Sequence, residues 1–179
     1  MTRSNQIGIT LFALLTAFLA GCATPARVDQ MTVPAVAQPT PQTAFRHSIA
    51  IKDVTGGQET NPLWTSQVSS AEFERALEAS LQNAALLAPR QAGKYQLSAQ
   101  LGRLEQPLIG LNMTVTATVL YQLVERTTAK TVWEKTLVTP YTAKFTDSLL
   151  AVERLKLANE GAVKENIARL ISDLSTAKP

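Results

Sequence analysis

A chain of 179 residues with 17 Lys and Arg against 14 Asp and Glu, one histidine and one cysteine has little material for metal, disulfide or nucleophile chemistry. At 45% hydrophobic and 6% aromatic residues, the length suits one globular domain with a Leu, Val and Ala core. The net charge of +3 is spread over both halves with no cationic run and no interleaved aromatics, so the electrostatic stripe and stacking platform of a nucleic-acid binder are missing.

Residues 1–6 are polar with one cation, Arg3, and residues 7–20 (IGITLFALLTAFLA) carry no charge, the profile of a signal peptide. A spanning helix needs about 20 predominantly apolar residues, and this run stops at Gly21, with Pro25 soon after. Ala20 and Gly21, behind Leu19, are small enough for a peptidase to hold an extended backbone beside the thiol of Cys22. Leu19-Ala20-Gly21-Cys22 resembles the lipobox of bacterial lipoproteins. The resemblance implies removal of residues 1–21 and a Cys22 that becomes the first residue, carrying diacylglycerol and an acyl chain such as palmitate. With Ala23 where an aspartate would retain the protein at the inner membrane, it also implies the periplasmic face of the outer membrane. Two or more acyl chains bind a bilayer far more firmly than one. The other reading of the same residues is an ordinary secretory peptide cut nearby, with Cys22 left as a free thiol.

Residues 22–44 hold four prolines and two charges, Arg27 and Asp29, without hydrophobic period, and read as a Pro-rich tether to a single domain over residues 45–177. Residues 46–54 alternate around Ile49 and Ile51 as a first strand, closed by Gly56-Gly57. Ser69 and Glu72 form a capping box for a helix with Phe73, Leu77, Leu81, Ala84 and Ala88 on one stripe, stopped by Pro89. Residues 94–105 and 111–125 alternate as strands. In the second of these, Met113, Val115, Ala117, Val119, Tyr121 and Leu123 share one face and threonines the other, so the sheet has a wet side. Residues 131–142 supply a fourth strand whose Pro140 favours an edge or an end. Residues 148–175 read as a long helix capped by Asp147, with Glu160–Lys164 and Glu165–Arg169 pairs on its solvated side and Gly161 weakening its middle by about 1 kcal/mol.

The order β-α-β-β-β-α predicts an α+β two-layer sandwich: a mainly antiparallel four-stranded sheet with two helices on one face. His47 reads as a surface or edge imidazole, the carboxylates sit mostly on helix faces, and Gly56-Gly57 lacks the residues of a phosphate loop. The expectation is therefore a protein that is not an enzyme and holds no metal and no cofactor beyond covalent lipid on Cys22. Two features invite contact. Pro107, Leu108, Ile109 and Leu111 put large apolar groups at a loop tip where polar residues are usual, and Trp64 lies in a long connection. Both are candidate contacts for a partner or lipid.

The layout of lipobox, Pro-rich tether, strand, helix, meander and helix is similar to that of YajG-like lipoproteins, the lipopolysaccharide-assembly lipoprotein LptE, and the auxiliary lipoproteins of lipid-transporting ABC systems. That resemblance implies a non-catalytic accessory in the cell envelope, held to the membrane by its lipid and binding an envelope protein, a lipid, or both. The two functional expectations are a protein-interaction or assembly accessory and a lipid-binding accessory of an envelope lipid or lipopolysaccharide transport system. The second needs an apolar groove between helices and sheet.

Overall fold

The long alternating segments become β2 (Tyr95–Leu101), β3 (Met113–Glu125) and β4 (Thr131–Ala143), joined as an antiparallel meander. The structure is a computed structural model and describes residues 23–35, 43–62, 65–89 and 91–177. β1 (Ile49–Thr55) lies parallel to β2 and completes a sheet of order β1-β2-β3-β4. Parallel neighbours need a crossover, and α2 (Ser70–Asn83) supplies it, following the four-residue α1 (Val28–Met31). The α+β class, four strands and mainly antiparallel pairing are as expected, with α1 a third, short helix. The predicted inward face of β3 is buried along its whole length, while Thr114 and Leu120 face outward with Val138 and Thr142 of β4.

The capping box is present: Glu72 N–H donates to Ser69 Oγ and Ser69 N–H to the Glu72 carboxylate. The helix buries Phe73, Leu77 and Leu81 as predicted, together with Ala76 and Ser80. It ends at Asn83 rather than at Pro89, because Ala85 turns to φ 55° and Leu86 N–H closes back on Leu81 O.

The last helix, α3 (Ala151–Thr176), starts three residues later than expected and is not capped by Asp147. That carboxylate instead accepts from Lys144 N–H within a short 3₁₀ turn, Phe145–Asp147. Gly161 has a packing role. A Cβ there would fall inside the ring of Tyr141, which leans from β4 onto the helix. Gly161→Ala should therefore destabilise the fold by about 1 kcal/mol in spite of better helix propensity. In a Tyr141→Ala background the same substitution should stabilise by about 1 kcal/mol. Urea unfolding of the four-protein cycle checks this reversal of sign.

Where α3 crosses β3 and β4 the core is polar at one point. Tyr121 Oη–H donates to Asn166 Oδ1 at 3.0 Å, and Asn166 Nδ2 reaches Leu137 O and Thr139 Oγ1, each at 3.0 Å, and Ala117 O at 3.3 Å. Thr139 Oγ1–H continues to Ala162 O at 3.0 Å. Tyr121 and Asn166 are fully buried, so each polar atom needs these partners. Burial pushes the Tyr121 phenol well above its usual range. A folded pKa raised above the unfolded value of about 10 favours the fold fully below that pH, and the advantage falls by about 1.4 kcal/mol per pH unit above it. Unfolding free energies across the alkaline range should show this extra slope in the wild type and lose it in Tyr121→Phe.

The segment expected to stand off as a tether is, from Ala23 to Val33, part of the domain. Ala23, Ala26 and Met31 are buried, and α1 packs against both α2 and α3, filling the furrow between them. Val33 N–H donates to Ser80 Oγ at 2.9 Å and Asn83 Nδ2 to Val33 O at 2.9 Å. Proline excludes this stretch from long helices and central strands, but it does not prevent extended docking through spaced small and apolar side chains. Glu160, expected on the solvated face of the helix beside Lys164, faces Arg27 in this interface. Residues 36–42 of the predicted tether, and the signal segment 1–21, lie outside the described residues.

Candidate functional site

Two loops meet at the end of the sheet where β3 begins and β4 finishes. Residues 102–112 connect β2 to β3, and residues 144–150 connect β4 to α3. They are joined by a hydrogen bond at 3.0 Å from Phe145 N–H to the side-chain oxygen of Asn112. In the first loop Leu108 is 99% exposed, Ile109 88% and Leu111 73%, with Pro107 half-buried. In the second, Leu149 is 79% exposed, Leu150 64% and Phe145 44%. The Arg154 guanidinium lies 5.1 Å from the Phe145 ring centroid and donates to Ser148 O at 2.7 Å, which stiffens this second loop. Monomeric domains seldom leave so many large apolar side chains together in water.

The tip is also tied to the start of the described chain. Gln106 Nε2 donates to Ser66 O at 3.0 Å and to Asn159 Oδ1 at 2.9 Å, and Asn159 Nδ2 donates to the same Ser66 O at 2.8 Å. Ser66 Oγ–H then reaches Thr24 O at 2.9 Å, Lys156 Nζ reaches Thr24 Oγ1 at 3.0 Å, and Ala23 N–H donates to Pro62 O at 2.9 Å. Further along, the Glu160 carboxylate, only 3% exposed, accepts from Arg27 N–H at 2.8 Å and from its guanidinium at 3.1 Å. This hydrogen bonding holds the guanidinium above its ordinary pKa. A groove of about 710 Å³ separates the tip from the start of α3, with Thr65, Gln67, Arg103, Leu104, Gln106 and Leu155 among its lining residues.

Of the residues singled out by sequence, Leu108, Ile109 and Leu111 form one exposed patch, while Cys22 and Trp64 lie outside the described residues. Phe145, Leu149 and Leu150 were not anticipated. Their signal was the pair Leu149-Leu150 next to Ser148, absorbed into a helix drawn one turn too long. His47 is exposed at the opposite end, where its N–H donates to Ala85 O at 2.9 Å. Among the described residues no group of His, Cys, Asp and Glu is placed to hold a metal ion, and no helix is long and apolar enough to cross a membrane.

This is a mixed four-stranded sheet backed by helices, with an apolar end where its N-terminal segment docks. No family model and no curated protein sequence matches the chain. Solved structures do. A Xanthomonas campestris protein of the DUF330 family superposes with a TM-score of 0.56 at 14% identity, covering 80% of this chain and 94% of its own. A Caulobacter crescentus protein proposed to be a lipoprotein gives 0.50 at 15% identity, covering 74% and 92%. A hypothetical protein of Chlamydia trachomatis gives 0.51 at 12% identity, covering 74% and 99%. At these identities the likeness establishes a shared fold, one that includes bacterial lipoprotein-like chains.

Proposed function

We propose that this chain is a lipid-anchored, non-catalytic envelope lipoprotein, held by acyl and diacylglycerol groups on Cys22 at the periplasmic face of the outer membrane. In this reading it acts as a protein-interaction or assembly accessory of the envelope. The observation that carries the reading is the junction of lipobox and fold: Ala23, the residue after Cys22, is buried and hydrogen-bonded in the domain, and its neighbour Thr24 is linked through Ser66 to Gln106 at the base of the apolar tip. The fold shared with lipoprotein-like chains supports it.

The test is metabolic labelling with palmitate in the native host, followed by membrane fractionation. The wild type should incorporate label and sediment with the outer membrane, and Cys22→Ser should remain unlabelled and unprocessed. Wild-type protein that is unlabelled and soluble overturns the reading. Crosslinking from Leu108 and Leu149 then reports which envelope component meets the apolar end.

A further inference from the structure

We propose that the apolar end is a bilayer-contact face: Leu108, Ile109, Leu111, Phe145, Leu149 and Leu150 enter the interface of the leaflet that holds the Cys22 lipid, and the domain sits flush on the membrane. This rests on the lipid anchor assigned above and adds what the apolar end touches.

The direction of the N-terminal segment carries the inference. Thr24 is bonded to Lys156 and Arg27 to Glu160, so the segment runs beside α3 with residue numbers rising together. Followed backwards, the chain leads toward the N-terminus of α3, where Leu149 and Leu150 are. From Leu150 to Lys156 is roughly 9 Å at 1.5 Å per helical residue. Ala23, which follows Cys22 in sequence, is itself buried and donates its N–H to Pro62 O. On the other flank, Ser66 links Thr24 to Gln106, the residue before the apolar tip.

Both exposed loops and the segment that follows Cys22 in sequence are thus held at one end, so little chain separates the proposed anchor from the apolar side chains. Acyl chains inserted from Cys22 draw that end to the headgroup boundary, where interfacial apolar groups settle about 5–10 Å deep. A protein partner would have to displace the membrane to cover the same residues. Charge at this end is mixed, with Arg103 and Lys144 against Glu105 and Asp147, so the contact is apolar and should be insensitive to salt.

The test uses the full mature lipidated protein, in which Cys22 is blocked by its lipid and an introduced cysteine is the only free thiol. Ile109→Cys, Leu149→Cys and, at the opposite end, His47→Cys are labelled with a small fluorophore. Each is reconstituted into phosphatidylethanolamine–phosphatidylglycerol vesicles with brominated acyl chains. Quenching of at least twofold at 109 and 149, none at 47, and the same result at low and high salt are expected. Labels at 109 and 149 that stay open to aqueous iodide in vesicle-bound protein overturn the proposal. So do labels shielded from both quenchers, which would mean that protein covers the patch. Protein that carries no palmitate and stays out of the vesicles instead overturns the anchor, and the proposal with it.

Discussion

Asn166→Ala is expected to lower the unfolding free energy by about 3–4 kcal/mol, the largest effect of any single substitution considered for this protein. The side chain is fully buried and serves four groups: the Tyr121 hydroxyl, two strand carbonyls and the Thr139 hydroxyl. Each buried polar group left without a partner costs about 1–3 kcal/mol, and the missing amide leaves a cavity that α3 cannot close while its apolar neighbours hold it. Thr139 is partly protected, because it keeps its bond to Ala162 O. Tyr121→Phe, which strips only the Asn166 oxygen of a donor, should cost less, about 1–2 kcal/mol. Combining Tyr121→Phe with Asn166→Ala should cost less than the two single losses combined, with a coupling of about 1 kcal/mol or more. Urea unfolding midpoints at constant slope decide it. A loss below about 1 kcal/mol for Asn166→Ala would mean that this network does not hold the helix on the sheet.

The same residues show what sequence can and cannot reveal. β3 was legible because a strand buried on one face must alternate, and threonine on the other face tolerates both water and extended backbone. α2 was legible because Ser69 and Glu72 cap it locally, independent of the rest of the fold. Asn159 and Asn166 were harder: they lie seven residues apart in α3, among Ala162, Val163 and Ile167, and polar residues on an apolar stripe were the available sign that strand and loop carbonyls wait opposite. Gly161 looked like a helix defect because its partner, Tyr141, is twenty residues away and meets it only in the folded state. The N-terminal segment was least legible. Prolines and small residues describe a free tether and a docked extended strap equally well, and what separates them is Glu160, buried on a helix far along the chain. The apolar tip stood out in sequence as large apolar groups where polar turn residues are usual, and its side chains are exposed, yet its companion loop was hidden by a helix period that runs on past the true start of α3.

Arg27→Ala is the substitution expected to release that strap, at a cost of about 2–3 kcal/mol. Removing one partner of a buried ion pair generally costs about 3–5 kcal/mol. The smaller figure applies because the Arg27 side chain is 45% exposed and water can enter beside the carboxylate. Glu160 would keep the backbone N–H of Arg27 as a donor but lose the charge that balances it. Arg27→Met with Glu160→Leu should recover most of the loss, since an apolar pair leaves no buried charge behind. Limited proteolysis of the folded protein gives the direct reading: cleavage within residues 24–33 should be slow in the wild type and the double variant and at least tenfold faster in Arg27→Ala. Equal cleavage rates would mean that the ion pair does not hold the segment. The consequence reaches the membrane. Once residues 23–33 are released, that stretch of chain lies between the proposed anchor and the rest of the domain. The apolar end is then no longer forced against the leaflet. In the vesicle experiment, quenching of a fluorophore at position 109 should fall in Arg27→Ala and return in the double variant, while palmitate on Cys22 stays the same in all three.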